Sequence, residues 1–127
     1  MAYKTTYPYT NEVLKTFDNA TDVDLEAALA NGHALYKKWR AEGGLDDRKV
    51  QLHKIAELLR RDVDKYAEVM TKDMGKLFTE AKGEVELCAE IADYYADKAE
   101  EFLKPRPLEN INGEAYYIKQ ATGVLVA

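Results

Sequence analysis

The sequence predicts a mostly α chain, a helical layer with a β-hairpin at either end, and three observations carry that reading. Apolar residues recur at helical spacing from Leu25 to Phe102. Gly43–Gly44, Gly75 and Pro105 punctuate that stretch as helix stops would. The flanks lack the helical period and carry β-formers and turn residues instead.

Taken in order, Pro8 disfavours helix at Tyr7, and Thr10 and Asn11 form the polar centre of a turn. Val13, Thr16 and Phe17 follow as β-formers, which predicts a short hairpin. The first helix is capped by Thr21, with Asp24 three residues on in a variant of the capping box. Its expected buried stripe is Leu25, Ala28, Leu29, Gly32, Tyr36 and Trp39, with Gly32 allowing close packing. Two consecutive helices follow, breaking near Arg61 and Asp62, with Asp62 expected to cap the second. Their apolar residues are Leu52, Ile55, Ala56 and Leu59, then Val63, Tyr66, Ala67 and Met70.

The long helix after Gly75 carries the strongest period. Ala81, Val85, Cys88, Ala92, Tyr95, Ala99 and Phe102 alternate steps of four and three, and Leu87, Ile91 and Tyr94 widen the stripe. Pro105 and Pro107 end it. Asn112-Gly113 then predicts a hairpin, and the alternation of Ala115, Tyr117 and Lys119 with Tyr116, Ile118 and Gln120 predicts a strand. Gly123 breaks that strand, and Val124, Leu125, Val126 and Ala127 begin another. A continuously apolar run suits a strand covered on both faces, and nothing earlier in the chain suits that cover. The expected organisation is residues 1–104 as hairpin plus helical layer, 105–122 as a β-hairpin, and 123–127 as the start of a core strand.

Bulk properties narrow the function classes. The chain of 127 residues fits one domain, with 46% apolar residues for a core. A net charge of −5 argues against a nucleic-acid partner. Lys37, Lys38 and Arg40 beside Trp39 read as a solvated helix face. The single cysteine, Cys88, cannot close an internal disulfide. The opening MAYKTTYPYT lacks the apolar region of a signal peptide, and no apolar run approaches the ~20 residues of a membrane span. The expectation is a cytoplasmic protein with neither nucleic-acid nor membrane partners.

No catalytic constellation emerges from the residues. His33, His53 and Cys88 lack metal-site spacing, and Glu84 with Cys88 supplies only two donors. Cys88 falls on the apolar stripe, which favours inert packing. Asp73 to Lys76, DMGK, lacks the earlier glycine of a phosphate loop, and no G-x-G-x-x-G occurs. The acidic rows of the long helix (Glu80, Glu84; Glu86, Glu90; Asp93, Asp97, Glu101) read as a solvated face.

The order of blocks does resemble a known family. ATDVDLEAALANGHALYKKWR, RKVQLHKIAELLRRDVDKYAEVMTKDMGK, TEAKGEVELCAEIADYYA and GEAYYIKQATGVLVA are similar to the beginning of an NAD(P)-dependent aldehyde dehydrogenase, most of all the bacterial succinate-semialdehyde branch. The resemblance runs from Tyr7 to Ala127. It implies a parent α/β enzyme with a Rossmann-type cofactor region, in which a segment like ATGVLVA leads into a Pro-Trp-Asn motif with the catalytic asparagine. The general-base glutamate and nucleophilic cysteine would also follow Ala127. In that chemistry the thiolate attacks the aldehyde, hydride passes to NAD or NADP, and activated water releases the acid.

Cys88 matches no catalytic position of the family. The resemblance therefore assigns no catalytic, cofactor-binding or metal-binding residue to this chain, and implies a fragment inactive alone whose partner is the remainder of its own enzyme. The family's projecting hairpin, which builds homo-oligomers, coincides with PLENINGEAYYIKQ, making Tyr116, Tyr117 and Ile118 the candidate oligomer interface. The other reading is a standalone helical interaction module that self-associates through its hairpin, with its terminal strand covered.

Overall fold

A computed structural model describes residues 3–109 and 112–126. Ala127, the last residue of the expected terminal strand, and positions 110 and 111 of the expected hairpin lie outside them. Four helices are flanked by two antiparallel hairpins, as the sequence predicts.

The first hairpin pairs β1 (Tyr3–Tyr7) with β2 (Glu12–Phe17). Asn11 closes the turn in the left-handed region (φ 59°), where its N–H donates to the Tyr7 carbonyl at 2.8 Å. The register shifts between Thr5 and Thr6, leaving Leu14 between the pairs Thr5–Lys15 and Thr6–Val13 as a bulge.

Helix α1 (Asp22–Glu42) starts with the expected capping box: Thr21 Oγ1 accepts from the Asp24 N–H, and the Asp24 carboxylate accepts from the Thr21 N–H. Those bonds from Thr21, side chain first and then backbone, hold the Asp24 carboxyl below its usual range. The stripe expected to be buried is only partly covered. Leu29, Gly32, Tyr36 and Trp39 are half-buried, whereas Leu25 and Ala28 are exposed. The neighbour of Gly32 is Val124: a Cβ built on Gly32 would stand 3.1 Å from its Cγ2. The missing side chain is what lets the C-terminal segment lie on α1.

Gly43 and Gly44 (φ 96° and 83°) turn the chain into α2 (Leu45–Arg61). Only glycine fits at position 44, where a Cβ would come within 2.6 Å of the Trp39 indole. Helix α3 (Val63–Met74) follows the break at Asp62. Asp62 does not cap it by its side chain, contrary to expectation, because the carboxylate accepts two bonds from the neighbouring Arg61 guanidinium at 3.0 and 2.7 Å. Gly75, in the left-handed region, ends α3, and the Pro8 ring of the first hairpin packs beside it.

Helix α4 (Phe78–Leu103) is the spine, about 39 Å long at the standard rise. Lys104, which precedes Pro105, is extended and terminates it. Both α2 and α3 pack on α4. Lys49 pairs with Glu100 and Arg60 with Asp93, so α2 and α4 run antiparallel. Among the described residues the buried ones are Ala56, Ala67, Ala81, Val85, Ala89, Ala92 and Ala96. Ala56, Ala89 and Ala92 form the centre, flanked by Leu52 and Leu59. Small side chains let helix backbones approach closely, so the tightest seam of the chain is made of methyl groups.

This seam corrects the expected face of α4. Ala89 and Ala96 are buried where Cys88 and Tyr95 were expected, and Cys88 is exposed rather than packed. Leu87, Ile91, Tyr94 and Tyr95 also lie on the exposed surface, as does Ile55 of α2. The helix has two apolar faces, and α2 and α3 take the one with small residues.

The second hairpin pairs β3 (Arg106–Pro107) with β4 (Tyr116–Tyr117). The Leu108 N–H donates to the Ala115 carbonyl at 2.9 Å, so Asn112 and Gly113 form a bend inside a longer loop, not a two-residue turn. The expected strand through Gln120 stops at Tyr117. Residues 118–126 carry no strand ladder.

Candidate functional site

Three surfaces remain once the helical seam is accounted for. The first is the second hairpin, where Tyr116, Tyr117 and Ile118 are all exposed. Ile118 follows directly after β4, so the three residues form one short apolar edge. Aromatic rings with polar tips suit an interface that is dry at its centre and wet at its rim.

The second is the outer face of α4. Tyr94 and Tyr95 are 52% and 54% exposed, and their rings meet edge-on at 5.5 Å. Phe102 lies 6.0 and 5.9 Å from the same two rings. With Leu87, Cys88 and Ile91 they form a stripe along the helix that the described residues leave open.

The third is a groove of about 610 Å³ between α1 and residues 119–124, a volume in the range of natural ligand sites. Leu35, Trp39, Leu103 and Val124 supply its apolar surface, and Arg40, Arg48 and Lys119 its charge. The fold places these cations individually. Arg40 Nη1 donates to the Tyr36 hydroxyl at 2.7 Å, one helical turn away. Arg48 Nε donates to the Gly44 carbonyl at 3.1 Å, and its guanidinium carbon stands 5.3 Å from the Trp39 ring centre. Lys119 Nζ donates to the Phe102 carbonyl at 3.1 Å. The last turn of α4 holds no basic residue of its own, so Lys119 supplies the cation that the helix C-terminus favours.

Sequence reasoning did not assemble this groove. It placed Arg40 on a solvated face and Lys119 on one face of a strand, and gave Arg48 no role. The available signal was the Trp39, Gly44, Arg48 spacing, in which a glycine turn folds a cation back over an indole.

The residues weighed for metal chemistry are apart. His33 lies beside the Tyr36 ring, 6.0 Å between centres. His53 Nδ1 is 2.7 Å from Asp93 and Nε2 is 3.4 Å from Asp97, while Arg60 holds the second oxygen of Asp93 at 2.6 Å. Hydrogen bonds from His53 first and Arg60 second keep the Asp93 carboxyl below its usual range. Glu84 pairs with Lys76. Among the described residues no group of three or more histidine, cysteine or acidic side chains is arranged to hold a metal ion. Nor is any helix among them long and apolar enough to cross a membrane.

A dinucleotide places its pyrophosphate at a helix N-terminus free of negative charge. Here α1 opens with Asp22 and Asp24, α2 with Asp46 and Asp47, α3 with Asp64 and α4 with Glu80. Each of these ends carries an acidic side chain, which opposes an anion placed there.

Comparison with known proteins identifies the family. The profile of the aldehyde dehydrogenase family matches residues 1–127. The chain is 34% identical over 124 residues to an NADP(+) succinate-semialdehyde dehydrogenase of Deinococcus radiodurans, covering 98% of this chain and 26% of that protein. It is 35% identical over 130 residues to succinate-semialdehyde dehydrogenase [NADP(+)] 1 of Mycobacterium tuberculosis, covering 100% and 28%. A crystal structure of the Streptococcus pyogenes succinic semialdehyde dehydrogenase with NADP+ superimposes with a TM-score of 0.91 at 68% identity, covering 95% of this chain and 27% of that one. The chain thus spans about a quarter of the length of the relatives it matches.

Proposed function

Because the chain belongs to the aldehyde dehydrogenase family, we propose that it is the N-terminal part of an NADP-dependent enzyme that oxidises succinate semialdehyde to the carboxylic acid. The observation that carries this reading is the open apolar face of α4, with Leu87, Ile91, Tyr94 and Tyr95 on its surface. A standalone module would have to hydrate that stripe, whereas a cofactor-domain sheet laid against it would remove it from water. The relatives named above support the substrate and NADP rather than NAD.

In this reading residues 1–104 form the N-terminal hairpin and the helical part of the cofactor-binding domain, 105–122 the oligomerisation hairpin and 123–127 the start of a core strand. The work of this chain is structural: α4 backs the sheet, and α2 and α3 fix α4 from behind. The thiolate, the asparagine and the general base belong to the rest of the polypeptide, as do the groups that hold the cofactor, and the chain is inactive alone. Cys88 has no part in the chemistry. The enzyme is cytoplasmic and assembles as a homo-oligomer through Tyr116, Tyr117 and Ile118.

The test is reconstitution. The chain is co-expressed with the Streptococcus pyogenes enzyme lacking its matching segment, and NADP reduction is followed with succinate semialdehyde. Activity only when both parts are present is the expected result. Activity of this chain by itself, or of the truncated partner by itself, would overturn the reading.

A further inference from the structure

We propose that His53 is a proton-operated clasp between α2 and α4, whose charged ring bridges two carboxylates of α4 and whose neutral ring holds only one. The ring stands between two acids one helical turn apart: Nδ1 is 2.7 Å from Asp93 and Nε2 is 3.4 Å from Asp97. A neutral imidazole has one N–H and one lone pair, whereas the imidazolium has two N–H groups. A neutral ring that donates to Asp93 therefore turns the lone pair of Nε2 toward the Asp97 carboxylate. Protonation replaces that repulsive contact with a charge-assisted hydrogen bond.

The setting makes His53 the variable member of a fixed row. Basic side chains of α2 face acidic ones of α4, Lys49 on Glu100 and Arg60 on Asp93, with His53 between them. Lysine and arginine keep their charge across the neutral range, and histidine changes its own between about pH 5 and 8. Hydrogen bonds from His53 and then Arg60 hold the Asp93 carboxyl below its usual range, so this partner is anionic throughout. The charged groups around the ring are thus Asp93, Asp97 and Glu100 from α4, against Lys49 and Arg60 from α2. Lys49 also attracts Asp97 at longer range, yet its hydrogen bond goes to Glu100. On α3, Asp64 pairs with Lys82, three turns back along α4, and Lys72 pairs with Glu68. Among the described residues the only ion-pair partner of Asp97 is His53. A contact made only by the protonated ring contributes stability at pH 6 and loses it as the pH rises to 8. Mild acid thus fastens the α2–α4 register that the alanine seam defines.

The test is urea unfolding of the 127-residue chain at pH 6 and pH 8, with amide exchange in α2, corrected for its intrinsic pH dependence, as a local readout. The expected result is a higher midpoint and slower α2 exchange at pH 6, with about a two- to fivefold larger folded-to-unfolded ratio. His53→Gln should abolish the difference. Asp97→Asn should shrink it by raising the midpoint at pH 8, because an amide N–H can donate to the neutral ring; a merely structural role for Asp97 would lower the midpoint at both pH values. His33, the other histidine, lies beside Tyr36 and forms no ion pair among the described residues, so His33→Gln should leave the difference intact. Circular dichroism of each variant confirms that the helices are retained. No difference between the two pH values, one that survives His53→Gln, or one that vanishes with His33→Gln overturns the proposal.

Discussion

The two sides of α4 differ in what this chain does with them. On the inner side Ala81, Ala89 and Ala96 are completely enclosed, although each offers a single methyl group. On the outer side Leu87, Ile91, Tyr94 and Tyr95 offer far more apolar area and stay on the surface. The difference teaches that hydrophobic size and burial are separate properties of a helix face. Enclosure follows where a partner backbone can come close, and α2 and α3 do so over alanines and the small Val85.

That contrast can be broken by substitution. Ala89→Leu should cost about 1–3 kcal/mol in denaturant unfolding, because an enclosed methyl site has no room for three more carbons. A change below 0.5 kcal/mol would mean that the seam is loose. Away from the seam, Thr21→Ala should cost about 1 kcal/mol by removing the cap of α1. Because α1 has no buried residue, hydrogen exchange should quicken in its first turns and leave α4 protected. Equal acceleration in both helices would show that they unfold as one unit.

Acid should act on the inner side alone. The carboxyls of Asp93 and Glu100, which tie α4 to α2, sit below their ordinary values of 3.8 and 4.5 through bonds from His53 and Arg60, and from Lys49. Such depressed groups contribute stability above their unfolded pKa values and lose it as the pH falls through the lower folded ones. From these two carboxyls, unfolding midpoints should therefore hold above about pH 5 and decline below about pH 4. Asp93→Asn should flatten that decline, and an unchanged profile would remove Asp93 from the account. The smallest effect belongs to the outer side, where Ile91→Ser should alter the stability of this chain by under about 0.5 kcal/mol. The same change should matter in the reconstituted enzyme if, as proposed, a sheet covers the stripe there. Separately, Ile118→Asp should shift the assembled enzyme toward monomers in size-exclusion chromatography, and an unchanged elution volume would clear the hairpin of that role.

What could be read in the sequence was local. The Thr21–Asp24 box, the Gly43–Gly44 stop, the break at Asp62 and the turn at Asn11 each depend on residues a few positions apart. The face of α4 was misplaced by one residue at positions 88 and 95. Periodicity ranks side chains by apolarity, whereas the packing selected the smaller Ala89 and Ala96. Asp62 looked like a cap because its position suits one, but the adjacent Arg61 competes for the same carboxylate and takes it. The groove was illegible for a different reason: Trp39 and Arg48 meet Lys119 and Val124 only through the fold, across more than seventy positions. The partners of His53 likewise lie forty residues away.

The alanine seam has a consequence for the order of assembly. Alanine carries no side-chain rotor to immobilise, so joining α2 to α4 there forfeits backbone freedom and little else. Ala56 is separated from Ala89 and Ala92 by α3, itself a helix, so the segment closed by that contact is already partly ordered. The helices can therefore settle their mutual register early in folding.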